Sequence, residues 1–433
     1  MLLSLIIVSL AASPILAEKC SLTNKCPEET PCCSQYGDCG VGAFCLGGCD
    51  PRMSYSLDSC VPAPVCQDKT MKFDDINKTI ADVGTYLGDA SKADWMAQGE
   101  ATQYKDYALL TMPKGSDGTV LASTEYMWYG NVKATMKTSR GKGVVTAFIL
   151  LSDVKDEIDY EWVGTDLQQA QTNYYFQGIP DYTHSGNSSV SDTFGTWHDY
   201  EIRWSPDEIE WLIDGKSKRT AKREDTWNKT TQSWEFPQTP ARIQLSIWPG
   251  GKETNAKGTI DWAGGVIDWD SGDAKDGGYY YAAVKEVTVE CYSAKSAPGT
   301  NKGKSYIYDD VKGTNDTVKD TDKDTILASF HATGLDMDAG KSDDDKGKAA
   351  IPGGGSPGVD HSGDGKSSNE DAGGISGSGS TTVDLDKCDP TKFNQDCTGS
   401  KSSGDNGKGT SGGSKSSASA LAMVIAACAS FLL

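Results

Sequence analysis

The chain has 433 residues and carries 41 Lys and Arg against 61 Asp and Glu, a formal net charge of −20. That length suits one large domain with appendages, and so acidic a field excludes nucleic acid as a partner held by overall charge. Only four histidines occur, His184, His198, His331 and His361, too scattered for a His-rich metal centre, so no metal and no cofactor is expected.

Residues 2–16 are apolar, broken by Pro14, and end at Ala17 before the charged pair Glu18-Lys19. This pattern is a secretory signal covering 1–17, too short to span a bilayer comfortably. Secretion makes the cysteines disulfide material, and nine of them crowd between Cys20 and Cys66. Residues 18–66 therefore read as a small module held by bridges instead of a core. Cysteine arithmetic brings Cys66 within reach of Cys291 and Cys388 within reach of Cys397, with other pairings open.

The run Cys32-Cys33-Ser34-Gln35-Tyr36-Gly37-Asp38-Cys39-Gly40 resembles the hevein-type chitin-binding module, carbohydrate-binding family 18. The resemblance implies the pairs Cys20–Cys33, Cys26–Cys39 and Cys32–Cys45, with Cys49 joined to a nearby partner such as Cys60. It also places Ser34, Tyr36 and Phe44 on sugar-contacting positions, while Asp38 stands where an aromatic is usual. A chitin-binding role and a purely structural disulfide knot both remain open.

From 67 to 295 the alternation and turn spacing are those of an all-β domain, with strands expected at 108–112, 125–137, 144–151, 155–162, 199–204, 208–213, 242–248 and 285–291. Asp214-Gly215 is a strong hairpin signal. A β-sandwich of jelly-roll type fits about 220 residues of this kind. The stretch Asp156-Glu157-Ile158-Asp159-Tyr160-Glu161-Trp162 alternates acidic and apolar side chains. As a strand it puts Glu157, Asp159 and Glu161 on one face, and Ile158, Tyr160 and Trp162 on the other, where a core is expected.

Three like charges in a row repel, so they call for a use. At roughly 3.3 Å per residue the Cα atoms of Glu157 and Glu161 stand about 13 Å apart. Side chains leaning together bring the carboxyls to around the ~5–5.5 Å of a retaining glycosidase pair. Asp159 between them can hydrogen-bond one glutamate and separate the two pKa values. Trp248 and Trp262, both near glycines, are candidate sugar platforms, and Gln244 and Arg242 alternate on the strand of Trp248 as candidate hydrogen-bonding residues. The acidic run Asp320-Thr321-Asp322-Lys323-Asp324 lacks the glycine and glutamate of a calcium loop and is rejected as one.

Glu157-Ile158-Asp159-Tyr160-Glu161 matches the E-x-D-x-E motif of glycoside hydrolase family 16. With Ser123 to Gly130 upstream, Trp162-Val163-Gly164 after it, and Ser246-Ile247-Trp248-Pro249-Gly250-Gly251 downstream, the chain resembles the fungal Crh cell-wall transglycosylases. The resemblance implies cleavage of chitin and transfer of the cut chain to β-1,3/β-1,6-glucan. It makes Glu157 the nucleophile, Glu161 the acid and base, and Asp159 the residue that holds Glu157. Plain hydrolysis of chitin or β-glucan on the same site is the alternative, and a catalytically silent wall lectin is a third reading. The partners would be chitin and β-glucan, and the protein is expected to act as a monomer.

Residues 296–406 are rich in Gly, Ser, Asp, Lys and Thr and read as a disordered stalk. Four sequons begin at Asn77, Asn187, Asn228 and Asn315, which fits a secreted surface. The apolar end of the chain, after small residues and a polar spacer, matches a glycosylphosphatidylinositol signal covering 407–433, with attachment between Gly404 and Gly413. The expected location is the outer face of the plasma membrane or the fungal wall.

Overall fold

A computed structural model of the chain describes residues 18–342 and 350–353. Two eight-stranded antiparallel-rich sheets pack face to face. The strands of the first sheet, numbered along the chain, are β1 Ile80–Asp82, β2 Trp95–Gln98, β3 Thr119–Met127, β4 Val145–Ser152, β5 Glu157–Val163, β6 Gln169–Tyr175, β7 Gly186–Ser189 and β8 Ala241–Trp248. Their spatial order is β7-β6-β5-β4-β8-β3-β2-β1. The second sheet runs from Lys216–Lys222 through Glu208–Ile213, His198–Trp204, Gly130–Lys137, Tyr279–Cys291 and Tyr107–Pro113 to Glu100–Tyr104, and its eighth strand, Lys69–Lys72, pairs with Tyr279–Cys291 off this path. This is the all-β jelly-roll sandwich expected from the alternation.

Aromatic residues fill the space between the sheets. Tyr160 stacks on Trp162 at 5.5 Å, and Trp162 meets Tyr200 edge-on at 4.5 Å. Ile158, Tyr160 and Trp162 are all buried here, so the apolar side of β5 faces the core as its alternation requires. Two bonds tie β5 to the opposite sheet: Trp211 Nε1 donates to the Asp159 carbonyl (3.0 Å) and Tyr160 Oη to that of Leu212 (2.9 Å). The strand that carries the acids is thereby fixed on its rear side.

The sequence misplaced some boundaries. The expected strand 125–137 is two strands, because Tyr129 (φ 64°) and Gly130 (φ 138°) turn the chain from one sheet to the other. The hairpin at Asp214-Gly215 forms with both residues at positive φ, as a two-residue turn of this kind needs. Strands β6 and Lys216–Lys222 were not expected, since their polar residues hide the period.

The stalk does not begin at 296. Ser305–Tyr308 pairs with Val318–Thr321 and with Ala63–Pro64 of the N-terminal region to make a three-stranded sheet. Tyr306 is buried against Trp128, and Leu327 and Ala332 pack with Phe44, Leu46, Val61 and Tyr86. A few well-placed apolar anchors order a segment whose average composition argues otherwise. The rest of the expected stalk, 343–349 and 354–406, the signal 1–17, the anchor signal 407–433, Cys388 and Cys397 all lie outside the described residues.

Disulfides join Cys20–Cys33, Cys26–Cys39, Cys32–Cys45, Cys49–Cys60 and Cys66–Cys291. The last closes the base of the N-terminal module onto the final strand of the sandwich.

Candidate active site

Antiparallel register assigns each residue of the outer sheet face to a row, because directly paired residues share a face. One row reads Tyr175, Glu157, Leu151, Arg242, Tyr126; the next reads Asn173, Asp159, Ile149, Gln244, Ala122, Met96; a third reads Asn187, Gln171, Glu161, Ala147, Ser246, Val120, Gln98. The three acids thus stand side by side on the face turned away from the core. Arg242 and Gln244 lie on the same face, two strands from Glu157 and Asp159.

Although outward-facing, Glu157 is only 7% exposed and Asp159 only 2%, while Glu161 keeps more contact with solvent. Two walls enclose the face. One is the short helix α1, Lys257–Trp262, with the residues after it. Trp262 Nε1 donates to Gln171 Oε1 (2.8 Å) and its ring lies over Trp248 at 5.9 Å. Trp248 itself is buried with Val145 and Ala263, so it supports Trp262 and offers no open ring of its own. That corrects the reading of Trp248 as an open platform, whereas Trp262 is only half-buried and stays a candidate.

The other wall is the N-terminal module. Lys155 Nζ donates to the Gln35 carbonyl (2.7 Å), Arg52 Nη2 to that of Val154 (2.8 Å), and the Gly48 amide to Tyr126 Oη and Asp153 Oδ1. Arg242 Nη2 and Gln244 Nε2 both donate to Gln35 Oε1, at 2.9 and 3.2 Å. The hydrogen-bonding capacity expected of Arg242 and Gln244 is therefore partly used within the protein. A Cβ at Gly47 would come within 2.5 Å of the Arg242 guanidinium, which would have to shift to admit it.

The expected chitin-contacting residues do not form a free surface. Ser34 is buried, its Oγ accepting from the Tyr36 and Asp38 amides. Phe44 is buried with Leu46, Val61 and Leu327, and Tyr36 Oη donates to Gln98 Oε1 of β2 (2.8 Å). Burial pushes the Tyr36 hydroxyl up to about 12. Asp38, where an aromatic was missing, is paired with Lys19 at 2.6 Å. Ser34 and Phe44 are thus buried, and Tyr36 is half-buried with its hydroxyl bonded to β2, so none of the three stands fully open to solvent.

Burial raises the pKa of all three acids on this face of β5. Glu161 is lifted to about 8, by desolvation first and then by the charge of Glu157. Asp159 is raised well above the carboxylate range by desolvation and by both neighbouring glutamates. Its side-chain hydrogen bond with Glu157 raises it further. That bond and Lys155 pull Glu157 back down against its own desolvation.

Asp159 Oδ1, Glu161 Oε1, Asn173 Oδ1, Arg242 Nε and Trp248 Nε1 are buried with no hydrogen-bond partner among the described residues. All five sit on this one face. Such groups are costly unless a ligand satisfies them, and together they suit a ligand rich in hydroxyl and amide groups. Sequence reasoning missed Gln35, Lys155, Gln171 and Asn173. Register with the acidic strand would have found the last two.

The family model for glycosyl hydrolases family 16 matches residues 89–264. "Crh-like protein 3" of Botryotinia fuckeliana is 60% identical over 333 residues, which cover 77% of this chain and 75% of that protein. "Crh-like protein 2" of Aspergillus fumigatus is 56% identical over 345 residues, 78% of each chain. The solved structure named "Apo Crh5 transglycosylase" is 31% identical, covering 63% of this chain and 99% of that one, with a TM-score of 0.48.

Proposed function

The chain belongs to the Crh-like proteins of glycosyl hydrolases family 16, and from that premise we propose that it is a retaining cell-wall transglycosylase that cuts chitin and joins the cut chain to β-glucan. The mechanism is supported by the placing of the three acids side by side on one face of β5, with Glu161 raised to about 8 and Asp159 raised by burial and by both glutamates.

In the first half-reaction a Glu157 carboxylate oxygen attacks the anomeric carbon. The glycosidic bond breaks, and its oxygen leaves with the proton of Glu161. The product is a glycosyl ester on Glu157 and an ionised Glu161. In the second half-reaction Glu161 takes the proton of an incoming sugar hydroxyl, whose oxygen displaces Glu157 from the anomeric carbon. Asp159 donates to Glu157 throughout and steadies its charge as it changes. Trp262, Gln171 and Asn173 offer a ring and polar atoms to the sugars on the β6 side.

Secretion through 1–17 and lipid anchoring through 407–433 are part of this proposal. Among the described residues no helix is long and apolar enough to cross a membrane. The test is incubation with chitin oligosaccharides and a fluorescent β-glucan acceptor. A labelled hybrid of high mass supports transfer; reducing ends without any hybrid make the enzyme a hydrolase.

A further inference from the structure

Two carboxyls that act on one bond must flank it, so a glycan chain bound here passes between Glu157 and Glu161. Those residues lie along β5, and the chain therefore crosses the strands, following the rows of the sheet. On one side it runs toward β6 and β7, where the face ends at a two-layer edge with the exposed Asn187. On the other it runs over β4 toward β8, and there it meets the N-terminal module.

The module does not graze this path but spans it. Its contacts begin at Lys155 and Val154, beside the start of β5, pass over Arg242 and Gln244 on β8, and reach Gln98 on β2. Gln35 stands at the centre of the line, its carboxamide oxygen gripped by two side chains from the sheet floor. From the acids to that point is two strand spacings, about 10 Å. Four disulfides within the module and a fifth at its base make this barrier stiff.

We infer that the N-terminal module is the end wall of the catalytic cleft, with Gln35 the residue met by the bound glycan, so that the β8 side accepts a chain terminus and not the middle of a polymer. This rests on the function proposed above and deepens it: of the two polysaccharide segments the enzyme handles, the one lying toward β8 is read from its end. The module then acts as a ruler for a short β-1,4-linked N-acetylglucosamine segment or for the glucan that replaces it, and not as a separate tether. Gln35 is a specificity-determining residue in this account, with no part in bond breaking.

The experiment uses the full chain and chitin oligosaccharides of increasing length, labelled at one end, with initial products mapped by mass spectrometry. The expected result is a constant number of sugar units between the cut and one chain end, whatever the length supplied. Gln35→Ala removes the side chain but keeps the backbone carbonyl that Lys155 holds. It is expected to lengthen or blur that constant segment on long oligosaccharides. Cuts spread along long chains by the unaltered protein would overturn the inference and leave the functional reading intact. So would a Gln35→Ala pattern identical to the parent's. An absence of any product would overturn the functional reading, and the inference with it.

Discussion

The seat of the module on the sandwich contains a titrating group whose effect can be worked out. Asp153 is buried, and its Oδ1 accepts from Tyr126 Oη at 2.6 Å and from the Gly48 amide at 2.9 Å. Burial raises its pKa from 3.8 to about 6, against the opposing pull of those two bonds and of Arg242. A carboxyl raised on folding binds its proton more tightly in the native protein. Its contribution is thus most favourable at low pH and is lost as pH rises from the unfolded value through the folded one. The full loss is about 3 kcal/mol at 1.36 kcal/mol per pKa unit, and about 2 kcal/mol of it falls between pH 4 and pH 7.

Asp153→Asn keeps an oxygen for both donors and removes the titration. The variant should match the parent at pH 4, or fall slightly below it, and gain about 2 kcal/mol relative to it by pH 7. With a urea slope near 3 kcal/mol/M, the gap between the two unfolding midpoints should change by roughly 0.7 M across that range. Urea titrations at pH 4, 5.5 and 7 with disulfides intact read it directly. Because the acids on β5 titrate alike in both proteins, the difference isolates Asp153. A midpoint gap that stays constant from pH 4 to pH 7 would refute the reasoning.

Other outcomes follow from the same geometry. Glu161→Gln should lower the transfer rate by roughly 10²- to 10⁴-fold, the usual range for a lost general acid, with folding retained by circular dichroism. In the unaltered enzyme activity should fall as pH rises through about 8, where Glu161 gives up its proton, and rate profiles on both sides of that value check it. Trp262→Ala removes the ring that still faces the cleft and should raise KM by roughly 2- to 12-fold with kcat little changed, the equivalent of 0.5–1.5 kcal/mol. Replacing Cys66 and Cys291 together by Ser opens a loop of 225 residues and should cost about 5 kcal/mol on the chain-entropy model, read as a lower unfolding midpoint.

What could be read from the sequence was whatever has a period or a fixed spacing. Strict alternation in Glu157 to Trp162 declares which side is core, and Tyr160 and Trp162 obey it because one residue of slip would bury three carboxyls between the sheets. Docking is different. Arg242 and Gln35 are 207 positions apart, and each is an ordinary polar residue in its own neighbourhood. No local pattern says that they meet. The segment from 296 to 342 was misjudged for a related reason: composition averages over residues, whereas Tyr306, Val318 and Leu327 act singly, each filling a gap in a surface that already exists.

The module's sugar-binding face shows how far a motif can be trusted. A spacing of cysteines specifies a framework, because each bridge needs its own two partners at a fixed distance. It does not specify what the framework faces. Tyr36 and Phe44 occupy the positions that would stack on sugar, but a ring that packs on protein loses the same water as one that packs on glycan. Which partner it meets depends on what is tethered nearby, and here the sandwich is held beside the module by Cys66–Cys291 and by the buried Arg52 and Asp50 pair reaching to Val154. A partner present in the same chain is at high effective concentration, so it competes well for such a ring. On the reading proposed above, a polysaccharide would meet the module from its edge, at Gln35, beside Glu157 and Glu161.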